Sequence, residues 1–189
     1  MVFHELAHQV VYVKDDTQFN ESFAVSVEEA GVRRWIATQG KPELDTQFTR
    51  AERLRATFRD LIRNARAELA EAYASNASDE EKRARKAKVF ADMREAYELA
   101  KAGEPGLAGY DRWFAGGSNK GPNNASIASV ALYTGQVPAF RALLAEDDGD
   151  LPRFYARIKA LATLSKAERD TTLAQAARQA EVAAHTSPR

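Results

Sequence analysis

Apolar residues recur at three- and four-residue spacing along nearly the whole chain, and no stretch sustains a period-two alternation. The pattern predicts an all-α protein. Val2 to about Tyr12 reads as a short apolar helix, interrupted by the turn at Lys14, Asp15, Asp16 and Thr17. A second helix is expected from about Gln18 to Gln39, with Phe19, Phe23, Val27 and Ala30 on one side. Gly40, Lys41 and Pro42 stop it. Thr49 and Glu52 have the form of a capping box, in which hydroxyl and carboxylate satisfy free backbone amides. The helix they predict carries Leu54, Phe58, Leu61, Ile62, Ala65, Leu69 and Tyr73 as one stripe. Ser78 and Glu81 predict a second such start, with Val89, Met93, Ala96 and Tyr97 inward as far as Lys101. Together these two helices make a long hairpin.

Residues 103–124 are the least regular, but Tyr110, Trp113 and Phe114 within them imply a segment packed down on the core. Short helices are expected over 125–132 and 137–144, followed by a turn at Asp147 to Asp150. A longer helix over 151–164 and a last one opening at Ser165 complete the chain. The predicted organisation is a single helical domain over residues 1–168: a first helix pair in 1–40, the hairpin in 48–102 and C-terminal helices in 103–168. Residues 169–189 read as a frayed helical tail.

Composition narrows the function. The 189 residues are 44% apolar and 29% charged, an ordinary soluble balance. The 27 basic and 27 acidic groups cancel, which argues against a dedicated nucleic-acid binder. No apolar run approaches a membrane span, and no secretory leader is expected in the chain as given. Cysteine is absent, which removes disulfides, thiolate metal sites and cysteine nucleophiles. Charge is uneven: residues 1–47 carry 4 basic and 8 acidic groups, whereas residues 48–102 carry 13 and 10. The acidic excess thus sits at the end of the chain that holds the candidate chemistry.

That chemistry is His4-Glu5-Leu6-Ala7-His8, an H-E-x-x-H motif. Residues four apart share a helix face, so His4 and His8 can address one ion. Glu5 projects about 100° round from His4, angled toward a water activated by that ion, which suits a general base. Zinc is the metal such donors favour. Two imidazoles need a third protein ligand. His185 lies far away in the polar tail, and the motif is not extended to a third histidine, since Val11 and Lys14 stand at the relevant positions. Glu21, at the head of the second helix, is the best candidate. The twelve residues between His8 and Glu21 suffice for the rest of a helix, a turn and an antiparallel return. Glu28 and Glu29 are candidates to orient a ligand histidine from behind.

His4-Glu-Leu-Ala-His-Gln9, then Asn20-Glu-Ser-Phe-Ala24 and Val27-Glu28, resembles gluzincin metallopeptidases of the aminopeptidase N type. In that group an N-E-G-F-A helix follows the H-E-L-A-H-Q helix, and its glutamate ligates zinc. The gap there is longer, and Ser22 stands where Gly is usual. The chain is more similar to a bacterial family known as putative aminopeptidases. That family combines H-E-L-A-H-Q, Tyr12-Val13-Lys14, the segment Asp16 to Ala24 with this short gap, Asn123-Asn124-Ala125 and Val137-Pro138-Ala139-Phe140. The resemblance runs from residue 3 to about residue 164.

It implies a zincin-like, zinc-dependent aminopeptidase acting on peptides, with His4, His8 and Glu21 as ligands and Glu5 as base. Tyr12, Tyr110 and Tyr133 are candidates for a hydroxyl that donates to a tetrahedral oxyanion, with Tyr133 the one assigned a catalytic role. Family members are longer, and many begin with a lipoprotein-type signal. The resemblance therefore also implies a further region upstream of Met1 and a periplasmic, membrane-anchored location. The alternative is a non-catalytic helical module with a structural or vestigial metal site, whose hairpin over 49–101 binds a protein partner.

Overall fold

The computed structural model describes residues 2–115 and 121–186. Among them are nine α-helices, one 3-10 helix and no strand, so the protein is all-α as its hydrophobic period predicts. The helices are α1 (Val2–Val10), α2 (Thr17–Gln39), α3 (Pro42–Ala74), α4 (Asp79–Gly103), α5 (Asp111–Ala115), α6 (Asn124–Thr134), α7 (Val137–Glu146), α8 (Leu151–Ala162) and α9 (Lys166–Thr186). The 3-10 helix spans Pro105–Tyr110. None is long and apolar enough to cross a membrane. The helices group into two compact units, one of residues 1–41 with 132–189 and one of residues 42–131.

The first unit carries the candidate chemistry. α2 returns along α1, and its apolar stripe of Phe19, Phe23 and Val27 is buried. That stripe meets Ala139, Phe140 and Leu143 of α7, Phe154, Ile158 and Leu161 of α8, and Leu173 and Ala176 of α9. Phe140 lies edge-on to Phe19, with ring centroids 5.2 Å apart. A second stripe of α2 is small and polar yet equally buried: Ser22 and Ser26. The Ser22 hydroxyl accepts from the backbone N–H of Gln136, the residue that caps α7. A serine at this position thus satisfies one of the free amides at the start of a neighbouring helix.

The second unit contains the expected hairpin, with one difference at its start. α3 begins at Pro42, seven residues before the predicted box at Thr49. Gly40 ends α2 in the left-handed region at φ +61°, a conformation that suits a residue without Cβ. Pro42 then occupies the first helical position, with Glu43 and Asp45 in the first turn against the positive end of the dipole. These start signals outweigh the internal Thr49, which lies mid-helix. The box at Ser78 forms as predicted, Ser78 N–H donating to Glu81 Oε2 at 2.8 Å. Ile62, Ala65 and Leu69 of α3 pack with Val89, Met93 and Tyr97 of α4, whereas Ala96 is exposed. Tyr73 is also half-exposed, because its hydroxyl accepts from Asn124 Nδ2 at 2.9 Å.

The irregular stretch is indeed packed down: Leu107 and Phe114 are buried, and Tyr110 stacks on Phe58 at 4.2 Å. Tyr110 is therefore part of an aromatic core, and burial pushes its hydroxyl's pKa up.

Packing does not stop at residue 168 either. α9 runs on to Thr186, and Arg169, Leu173 and Ala176 along it are buried. Its polar composition conceals a narrow inward stripe at four- and three-residue spacing, which the sequence expectation of a frayed tail overlooked.

Candidate metal centre

α1 is a helix of nine residues, so His4 and His8 stand one turn apart on one face. Their rings are 5.0 Å apart between centroids and lie at 81° to each other. Ala7, one residue before His8, is buried against α2 and sets the rotation of the helix. That rotation leaves both imidazoles half-buried and aimed at the returning chain, with Glu5 exposed on the neighbouring face.

The return is built by two buried polar side chains. Asn20 grips Val13 at both backbone groups: its Oδ1 accepts from Val13 N–H at 2.8 Å, and its Nδ2 donates to Val13 C=O at 2.7 Å. Asp16 caps α2, accepting from Phe19 N–H at 3.3 Å. Between Val13 and Asp16, Asp15 takes φ +63°, the left-handed conformation that Asp tolerates better than most residues. The turn therefore fixes the register of α2 against α1.

The register brings Glu21 to the histidines. Glu21 Oε2 lies 3.2 Å from His4 Nε2, and Glu21 Oε1 lies 3.8 Å from His8 Nε2. One donor atom from each of the three residues falls within 4.8 Å of the other two. Zinc bonds of about 2.1 Å arranged tetrahedrally set their donors about 3.4 Å apart; the two Glu21–histidine distances bracket that value, and the two-imidazole, one-carboxylate set suits that ion. The two rings differ in their support. His4 Nδ1 faces Glu28 Oε2 at 3.5 Å, the position from which a carboxylate fixes a tautomer. His8 Nδ1 is buried with no hydrogen-bond partner among the described residues.

The tyrosines fall in different places. The Tyr12 ring stands beside the cluster, edge-on to His8 at 6.3 Å, and is 68% exposed. Tyr133 is on the last turn of α6 and half-exposed. Tyr110 belongs to the other unit's core, and the side chain of His185 lies outside the described part of the chain.

A family model described as "Putative aminopeptidase" matches residues 1–173. The chain belongs to that family. No curated protein and no solved structure matches it. The match spans both compact units, so the second unit and the first two turns of α9 belong to the family's pattern as much as the histidine helix does.

Sequence reasoning alone does not find the residues that hold this arrangement in place. Asn20 reads there as part of an Asn-Glu motif, with nothing to show that it clamps Val13. Arg169, which donates to Asp16, reads as one of many surface arginines. A buried polar residue leaves no trace in hydrophobic periodicity.

Proposed function

We propose that the chain is a zinc-dependent metallopeptidase of aminopeptidase type, with His4, His8 and Glu21 as metal ligands and Glu5 as general base. The observation that carries the reading is the convergence of two imidazoles and one carboxylate from adjacent helices, one donor atom of each within 4.8 Å of the others. When bound, zinc supplies a Lewis acid for the scissile carbonyl and brings the pKa of a water toward neutrality.

The chain's own residues do the rest. Glu5, exposed beside His4, takes a proton from the attacking water and returns it to the leaving amine. Glu28 holds the His4 ring in the orientation that turns Nε2 toward Glu21. A tyrosine hydroxyl donates to the oxyanion as the tetrahedral carbon forms: Tyr133 is one candidate, and the ring contact of Tyr12 with His8 supports Tyr12 as the other. The family's name supports peptides with a free N-terminus as the substrate class.

Metal content and peptide hydrolysis, measured on wild type and Glu5→Gln, test the reading. About one zinc per chain in both proteins, with turnover in wild type alone, supports it. A protein that takes up no zinc, or a Glu5→Gln variant as active as wild type, defeats it. Tyr12→Phe and Tyr133→Phe in the same assay assign the hydroxyl: the one that matters lowers kcat and leaves zinc content unchanged.

A further inference from the structure

We infer that Arg169 of α9 is a positioning residue for the metal ligand Glu21, acting through Asp16; this rests on the zinc reading above. Arg169 and Asp16 are 153 positions apart in sequence, yet both side chains are almost wholly buried. Arg169 donates from Nη2 and Nε to the same Asp16 oxygen, at 2.7 and 3.2 Å. Its remaining nitrogen donates to the C=O of Leu164, just past the end of α8. Its guanidinium also lies 5.5 Å from the centre of the Phe19 ring, on the first turn of α2. One side chain therefore ties α8, α9 and the start of α2 together. Lys166 adds a second cation, 3.7 Å from the other Asp16 oxygen.

Asp16 is where this matters for the site. It is the cap of α2, and Glu21 lies in the second turn after it. Asn20, the clamp on Val13, lies between them. Removing the guanidinium leaves a buried carboxylate without its main partner, and such a charge draws in water or turns outward. Either response loosens the cap, and the first turns of α2 move with it. Zinc ligands hold only within a few tenths of an ångström, so the loss is read at the metal. The arrangement makes α9 the remote support of a centre built wholly from the first twenty-one residues.

The test compares Arg169→Met and Asp16→Asn with wild type. Asparagine caps a helix as well as aspartate, so Asp16→Asn keeps the local cap but, with an Nδ2 that cannot accept from Arg169, loses the tether that holds the capped turn in place against α9. Zinc affinity is measured by competition with a chelator, and the ligand field by the visible spectrum of the cobalt-loaded protein, both well below the melting temperature. The control is Arg157→Met, which breaks the pairing of α8 with the buried Asp147 in the same unit.

Both test variants are expected to bind zinc about tenfold or more weakly and to shift the cobalt spectrum, a loss typical of outer-sphere supports. The control loses thermal stability alone. Test variants that melt early but keep wild-type affinity and spectrum overturn the inference, and so does an Arg157→Met as weak for zinc as Arg169→Met. Should Arg169→Met fail to fold, Asp16→Asn decides by itself. Wild type that binds no zinc defeats the zinc reading instead. In that case amide exchange over residues 17–21 of the metal-free protein still tests the clamp: faster in Asp16→Asn than in wild type if it holds, equal if it does not.

Discussion

Gly31 is the most informative single position for testing how α1 is held. It is buried on α2, and a Cβ built there would lie 2.7, 2.8 and 3.0 Å from Cγ, Cδ1 and Cδ2 of Phe3. Carbon atoms in good contact are about 3.5–4.0 Å apart, so in Gly31→Ala the ring must retreat by about 1 Å. The atoms struck belong to the rigid body of an aromatic ring near its root, so a rotation alone relieves little of the overlap. Helix propensity favours the alanine by about 1 kcal/mol. Overpacking opposes it by about 1–3 kcal/mol. The net expectation is a protein destabilised by roughly 0–2 kcal/mol, which at a unit of this size lowers the melting temperature by at most about 10 °C.

The larger effect falls on the proposed metal site. Phe3 adjoins His4 on a short helix, so a displacement of the ring carries the ligand with it. Zinc affinity, measured by chelator competition, is expected to fall about tenfold or more. The double variant Gly31→Ala/Phe3→Leu, with its smaller side chain, recovers most of that affinity, and the cycle isolates the coupling between the two positions. A Gly31→Ala protein that is more stable than wild type and binds zinc as tightly would show that α1 does not lie against α2 in this register.

Two further outcomes follow from other contacts. Asn20→Ala orphans both backbone groups of Val13; since Val13 is only half-buried, water compensates in part, and a loss of about 2–3 kcal/mol in urea unfolding is expected. A loss below 0.5 kcal/mol would mean that the turn stands without the clamp. In the second unit, hydrogen bonds from Lys101 and Tyr97 hold the Asp111 carboxyl below its usual pKa. A depressed folded-state value stabilises above the ordinary carboxylate range near pH 4 and ceases to do so as pH falls through the lower value. Melting curves of wild type and Asp111→Asn should therefore differ at pH 7 and converge toward pH 2–3; a constant gap would refute the linkage.

Much of the fold is legible because the signals for it are local. The box at Ser78 and Glu81 satisfies amides within four residues, and the stripe Phe19, Phe23, Val27 repeats within two turns. The start of α3 is harder to read, since Thr49 and Pro42 both look like helix starts, and the choice is made by Gly40 ending the helix before. The inward face of α9 is nearly invisible, because one of its buried residues is an arginine and another is an alanine. The cluster is legible from residue type and spacing, as His4 and His8 share a helix face by geometry alone. Glu21 is harder, since its approach depends on a turn fixed by buried polar contacts. The partner of Asp16 is illegible: nothing near Asp16 in sequence points to a residue 153 positions on. Ser22 looks like a departure from the glycine of a related motif until its hydroxyl is seen against the amide of Gln136.

The order in which the chain is made gives the divided layout of the first unit a further meaning. Residues 1–41 leave the ribosome before the segment from 132 onward that completes their unit. At about 5–20 residues per second, the 148 positions from Glu21 to Arg169 take roughly 7–30 s to synthesise. For most of that interval Phe19 and Phe23 lack Phe140 and Phe154, and the proposed ligands stand on a helix pair without its foundation. A nascent chain of this protein is thus a client for holding chaperones over that interval, and the proposed ligands gain their support only once Arg169 has been made.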